Sequence, residues 1–150
     1  EIEIAADHYL PTDERQIPTG EIRAVDGTVF DLRSSTPMRR EIDGAQVGYD
    51  HNFCLSAQRV AKRKVARLYA PASNVTMDVL TTEPGVQFYS AFKLNVAVPG
   101  LEGRHYGPSA GFCLETQIWP DSVNHEGFPD AVLRPGETLR QETDYVFTKR

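Results

Sequence analysis

Val75-Thr76-Met77-Asp78-Val79-Leu80-Thr81, continuing through Thr82-Glu83-Pro84-Gly85 into Val86-Gln87-Phe88-Tyr89, decides the fold class of this chain. Val75, Met77, Val79 and Thr81 alternate with polar Thr76 and Asp78, the period-two pattern of a half-buried strand. Pro84-Gly85 marks a turn, and Val86 to Ala91 reads as the next strand. The same texture extends in both directions. Glu1 to Ala6, Val47 to Leu55, Arg59 to Tyr69, Ala110 to Ile118, Ala131 to Leu133 and Glu137 to Thr148 all read as strand-like. Asp26-Gly27 between Glu21–Val25 and Val29–Leu32 predicts a hairpin. Ser34 to Gly44 is polar and irregular, with room for a short helical turn. Pro99 to Pro108 is a glycine-bearing loop long enough to be functional. There is no long amphipathic helix and no internal repeat. Short strands punctuated by Gly and Pro predict an all-β fold, an antiparallel sandwich or barrel. Residues 1–150 show no linker and read as one domain. Glu1-Ile2-Glu3-Ile4 already alternates like the middle of a strand, which reads as part of a longer polypeptide.

Charge narrows the function classes. Sixteen basic residues stand against 21 acidic ones, a net charge of −5, which disfavours nucleic acid as a partner because that binding needs a basic footprint. The basic run Lys62, Arg63, Lys64 and Arg67 reads as a solvated strand face rather than a phosphate groove. No apolar run reaches the ~18 residues of a membrane span, and no signal-peptide pattern opens the chain. Cys54 and Cys113 have neither metal nor redox spacing and read as buried free thiols, which favours a reducing, cytoplasmic setting.

Chemistry concentrates on three strands. In Gly111-Phe112-Cys113-Leu114-Glu115-Thr116-Gln117, alternation puts Cys113, Glu115 and Gln117 on one face. A carboxylate inside an apolar run is costly unless partnered. Glu115 therefore either meets a partner from elsewhere in the fold or is kept there to handle a proton, and beside these stands the plainer reading of a strand-end Glu that reaches solvent or pairs with an Arg. In Gly48 to Leu55, Asp50, Asn52 and Cys54 share a face while Tyr49, His51, Phe53 and Leu55 take the other. Gln87 and Tyr89 share a face of theirs. Asp50, Gln87 and Glu115 on one sheet surface would suit a sugar: carboxylates and an amide for its hydroxyls, and Phe88, Tyr89 or Trp119 for its C–H face. The alternatives are plain: Asp50 capping a turn, Gln87 satisfying a strand edge, aromatics in the core. His8, His51, His105 and His125 lack zinc-ligand spacing. His51 reads as a core histidine, His105 as exposed, and His125 as a residue that orients its loop.

Taken in order, these stretches resemble the aldose 1-epimerase (galactose mutarotase) family. The resemblance is carried by Gly-Tyr-Asp-His-Asn-Phe (48–53), Thr-Glu-Pro-Gly-Val-Gln-Phe-Tyr (82–89) and Gly-Phe-Cys-Leu-Glu-Thr-Gln (111–117). Pro120-Asp121-Ser122, Asn124-His125, Leu133-Arg134-Pro135-Gly136-Glu137, Ala6 to Pro11 and Ile17 to Gly20 add to it, so it covers essentially the whole chain. It implies a galactose mutarotase-like β-sandwich and the interconversion of α and β anomers of free hexoses such as galactose and glucose. It implies Glu115 as general base, Asp50 and Gln87 as sugar-binding residues, and a histidine as general acid on the ring oxygen. Two positioned proton-transfer groups suffice for this chemistry without metal or cofactor. The family's acid histidine belongs to an Asn-His-x-Tyr-Phe-Asn-type motif that precedes the stretch matched here. The chain is thus expected to be the C-terminal portion, with the N-terminal half of the same fold as its missing partner. Ser90-Ala91-Phe92 stands where the family often has Thr-Gly-Asn, and Glu126-Gly127 also departs; both bear on loop shape and substrate range.

Two other readings remain open at this point. A sandwich that holds sugars without turning them over would not need the acid. A glycosidase with Asp50 and Glu115 as paired carboxylates would cleave a glycoside instead.

Overall fold

A computed structural model describes residues 1–149. The described residues form eleven strands: β1 (Ile2–Ile4), β2 (His8–Tyr9), β3 (Arg23–Ala24), β4 (Glu41–Ile42), β5 (Ala45–Gln46), β6 (Asp50–Cys54), β7 (Arg63–Ala70), β8 (Val75–Thr81), β9 (Gly85–Tyr89), β10 (Cys113–Gln117) and β11 (Thr143–Lys149). Helical geometry among the described residues is limited to two short 3-10 turns, Leu101–Gly103 and Ser122–Asn124. One sheet has the order β1-β7-β8-β11, the second β10-β9-β6-β2-β3, and β4-β5 form a separate hairpin. All pairings within the two main sheets are antiparallel.

Alternation makes the two sheets one object. Ile2 and Ile4 of β1, Val65 and Leu68 of β7 and Val79 of β8 point inward from the first sheet. They meet Tyr9, Phe53, Val86, Phe88 and Leu114 from the second in a single core. Each such side chain contributes about 1.5–3 kcal/mol on burial. His51 belongs to this packing, its ring 4.5 Å from that of Phe30 and edge-on to Tyr9. The Asp50 backbone N–H donates to His51 Nδ1 at 3.2 Å, so the neutral ring keeps its proton on Nε2.

The chain passes between sheets at Thr82-Glu83-Pro84. Glu83 is fully buried there, and Arg59 grips it with two charge-assisted bonds, Nε to Oε1 at 2.6 Å and Nη2 to Oε2 at 3.0 Å. Arg63 adds bonds from Nη1 to the carbonyls of Thr81 and Glu83, at 3.0 and 3.1 Å. The basic run is therefore structural: Lys62 pairs with Glu142 and Asp144, and Arg67 with Asp78.

Three local expectations are corrected. Val29–Leu32 is not a strand, and β3 pairs with β2 instead. At Asp26-Gly27 the Thr28 N–H and hydroxyl both bond to the Val25 carbonyl, and the hydroxyl accepts the Phe30 N–H. These tight turns carry Phe30 onto Tyr9, with ring centroids 4.2 Å apart, and bury Leu32. The hairpin forms instead at Asp43-Gly44, where φ values of 52° and 77° give the twist a two-residue β-turn needs. The polar 34–44 stretch therefore holds β4 and no helix. Ala131–Leu133 is exposed loop, because Asp130 and Arg134 bond across it.

Two outcomes follow from this packing. Arg59→Leu leaves the Glu83 carboxylate buried and unpaired, and should cost about 3–5 kcal/mol in urea denaturation. Arg59→Leu with Glu83→Leu should recover most of that loss. For His51, burial pushes the imidazole below its usual range, with the Asp50 charge opposing weakly. The unfolded chain then binds the extra proton, so stability is full above about pH 6.5 and declines as pH falls below it. Thermal melting of His51→Gln should lose that acid-side decline.

Candidate functional site

The site is a product of strand register. In the β10-β9 pair Glu115 lies directly across from Gln87, and in the β9-β6 pair Gln87 lies across from Asn52 and Tyr89 from Asp50. Partners across a ladder project on the same side of the sheet, with Cβ atoms about 5 Å apart. Glu115, Gln87 and Asp50 therefore rise from three neighbouring strands onto one surface. Gln87 Nε2 donates to Asp50 Oδ1 at 2.8 Å, which fixes both side chains. The opposite faces of these strands carry Leu114, Phe88, Val86 and Phe53 into the core.

These three residues line one open cavity of about 520 Å³. Gln117 and Tyr89 extend its floor, and Phe92 and Lys93 form one wall. Gln16 and Pro18 approach from the 11–20 loop, and Pro120 from the loop that follows β10. The second loop is anchored by Trp119, whose Nε1 donates to the Pro84 carbonyl at 2.8 Å and whose ring packs edge-on to Phe128. His125 Nε2 and Asp121 Oδ2 lie 3.1 Å apart, so this histidine does orient its loop.

Of the readings open for Glu115, the structure favours the one in which the carboxylate reaches solvent over one buried against an Arg. Its side of β10 is exposed toward the cavity, and it makes no ion pair with any described residue. Solvent removes the desolvation cost that a core position would impose. Its charge is nevertheless felt: burial first, and Glu115 second, hold the Tyr145 phenol above its ordinary range. The Cys113 thiol is raised by the same causes in the same order.

The cysteines correct another expectation. Cys54 is half-buried and Cys113 exposed, so only the former approaches a packed thiol. Burial pushes Cys54 up to about 12, well away from thiolate chemistry at neutral pH. Of the aromatics proposed for a sugar face, Phe88 and Trp119 are core residues, and only Tyr89 reaches the cavity.

On the cavity side of the sheet, covered by Gln117, lies a residue whose role was not visible in the sequence. Asn52 is 1% exposed, its Nδ2 has no hydrogen-bond partner among the described residues, and its Oδ1 receives Gln117 Nε2 at a long 3.5 Å. Room for this amide comes from Gly85: a Cβ there would lie 2.5 Å from Asn52 Oδ1 and 2.9 Å from Trp119 Cδ1. The floor is thus close-packed at the Gln117 end. No group of His, Cys, Asp and Glu among the described residues is arranged to hold a metal ion. No helix is long and apolar enough to cross a membrane.

Comparison with known proteins gives this geometry a family. The sequence profile described as "Aldose 1-epimerase" matches residues 1–146. Galactose mutarotase from Rattus norvegicus is 46% identical across 99% of this chain and 43% of its own length. Aldose 1-epimerase from Escherichia coli K12 is 38% identical across 97% of this chain and 44% of its own. A crystal structure of a GalM/aldose epimerase homologue from C. elegans superposes with a TM-score of 0.88 at 27% identity, over 99% of this chain and 45% of that one. The chain spans less than half the length of these relatives. Profile, sequence and superposition agree, and the chain belongs to the aldose 1-epimerase family.

Proposed function

We propose that this chain carries the base and the sugar floor of an aldose 1-epimerase acting on free hexoses such as galactose and glucose. The observation behind this reading is the unpaired Glu115 carboxylate, in register with Gln87 and beside Asp50 on one cavity floor. Glu115 takes the proton of the anomeric hydroxyl while an acid protonates the ring oxygen. The C1–O5 bond breaks, the open-chain aldehyde turns about C1–C2, and closure in reverse gives the other anomer. Asp50 and Gln87 hold sugar hydroxyls by accepting and donating hydrogen bonds, and the Tyr89 ring covers the sugar's C–H face. Each well-placed acid or base typically contributes about 10²–10⁴-fold.

The acid is assigned to polypeptide outside residues 1–150. None of the four histidines lines the cavity, and the relatives are more than twice as long as their matched portion. An N-terminal half of the same fold would supply both the acid and the opposite cavity wall. For the segment by itself, the cavity without a histidine favours a second reading, a module that binds sugars without turning them over. Its two free cysteines suit a cytoplasmic setting.

Polarimetry of freshly dissolved α-D-galactose and α-D-glucose tests this. Acceleration by a polypeptide that includes the N-terminal half, and none by residues 1–150 alone, is the expected result. Activity of the short chain would move the acid role to one of its own histidines; inactivity of both would favour the binding module. In the active form, Glu115→Gln should lower kcat by at least about 10²-fold with the fold intact. Near-normal turnover would remove Glu115 from the base role. Asp50→Ala and Gln87→Ala should act chiefly on KM, and unchanged kinetics for both would remove them from the sugar site.

A further inference from the structure

Resting on the epimerase reading, we propose that Phe92 and Lys93 form a specificity wall that admits aldoses carrying an anionic substituent, a carboxylate or a phosphate. The wall is built by the segment leaving β9. Ser90 N–H donates to the Tyr49 carbonyl at 2.9 Å and Ser90 Oγ accepts the Tyr49 N–H at 3.1 Å, tying the segment to the start of β6. Ala91, 4% exposed, then takes a left-handed φ of 52°, and its carbonyl accepts the N–H groups of Leu94 and Ser109 at 3.0 and 2.8 Å. This reversal turns Phe92 and Lys93 to the cavity that holds Asp50, Gln87 and Glu115.

Phe92 is held against backbone. A Cβ on Gly48 would lie 2.4 Å from Phe92 Cδ2 and Cε2, so the ring occupies the space a side chain would fill. Lys93 Nζ lies 5.0 Å from the centroid of that ring. This is within cation–π reach, and it gives the long side chain a resting place at the cavity. Lys93 makes no ion pair with any described residue, although other cations of the chain, such as Arg59, Lys62 and Arg67, are paired with acids.

A neutral hexose gives an unpaired ammonium nothing to neutralise. An anionic one, by contrast, would be repelled by Asp50 and Glu115 unless a cation stood on the same wall. Among the described residues, Lys93 is the cation that lines this cavity. Selection between ligands is a difference of affinities, and here the repulsive carboxylates and the attractive ammonium act on the same substituent.

Calorimetric titration of the polypeptide that includes the N-terminal half with galactose, galacturonate and galactose 6-phosphate tests the wall. The quantity read is the ratio of anionic-sugar to galactose affinity. It should favour the anion by about three- to tenfold at low salt and shrink as salt rises. Lys93→Met should bring the ratio to one or below, and Lys93→Arg should keep it. Preference for the uronate alone names the carboxylate as the substituent, and preference for the ester alone names the phosphate. A ratio unmoved by Lys93→Met overturns the proposal while galactose binding stands. If galactose itself does not bind, it is the sugar-site reading that fails, and the wall falls with it.

Discussion

The ion pair between Arg59 and Glu83 is the constraint on which the site depends. Glu83 lies where the chain leaves one sheet for the other, between β8 and β9. A strand that changes sheets must place polar backbone and side-chain atoms inside the molecule, and each needs a partner. Arg59 supplies two bonds to the carboxylate, Arg63 two to the flanking carbonyls, and Trp119 one to Pro84. With the crossover held at these points, β9 starts at Gly85 in register with Cys54 on one side and Gln117 on the other. Everything on the cavity floor inherits its position from that register.

A sheet with one face in the core and the other in a cavity separates stability from chemistry residue by residue. Along β6, Asp50 serves the cavity while His51 packs among Tyr9 and Phe30. Along β9, Gln87 faces sugar-sized space and Phe88 is buried. A shift of one residue would exchange these faces and bury the polar set, so the core enforces the site geometry. The cavity floor is then rigid because Leu114, Phe88, Val86 and Phe53 pack its underside, while on the cavity side the buried Asn52 amide, without a partner among the described residues, lies against Gln117. An unmet buried donor costs about 1–3 kcal/mol. It is tolerated where backbone and indole approach within contact at Gly85.

Alternation made the faces of Asp50, Gln87 and Glu115 legible in the sequence, and the order of motifs made the family legible. Alternation does not tell which strands are neighbours, so the contact between Gln87 and Asp50 required the structure. Turn chemistry misled in both directions. Asp26-Gly27 and Asp43-Gly44 look alike, but only the second has both residues at positive φ. At the first, Thr28 offers its hydroxyl to the local backbone and diverts the chain inward. Apolar neighbours leave Glu115 open between a buried and a solvent-reaching position, and the structure decides it because Leu114 and Thr116 face away from it. Lys93, Gln16, Pro18 and Pro120 were invisible as cavity walls, because loops reach a site through long-range packing that leaves no local period.

The division between floor and acid fits the proposed chemistry. Anomer exchange is its own reverse: the base that opens the ring returns its proton to O1 on closure, and the acid recovers its proton from O5. Neither group needs to exchange protons with solvent between turnovers. The protein must instead keep the two groups on opposite sides of one sugar and leave room for rotation about C1–C2. A rigid sheet floor bearing Glu115 meets the first demand from one side. An open cavity of about 520 Å³ meets the second. In that proposal an acid from outside residues 1–150 approaches from the far side without disturbing the register that holds Glu115, and the two groups need only close correctly around the sugar.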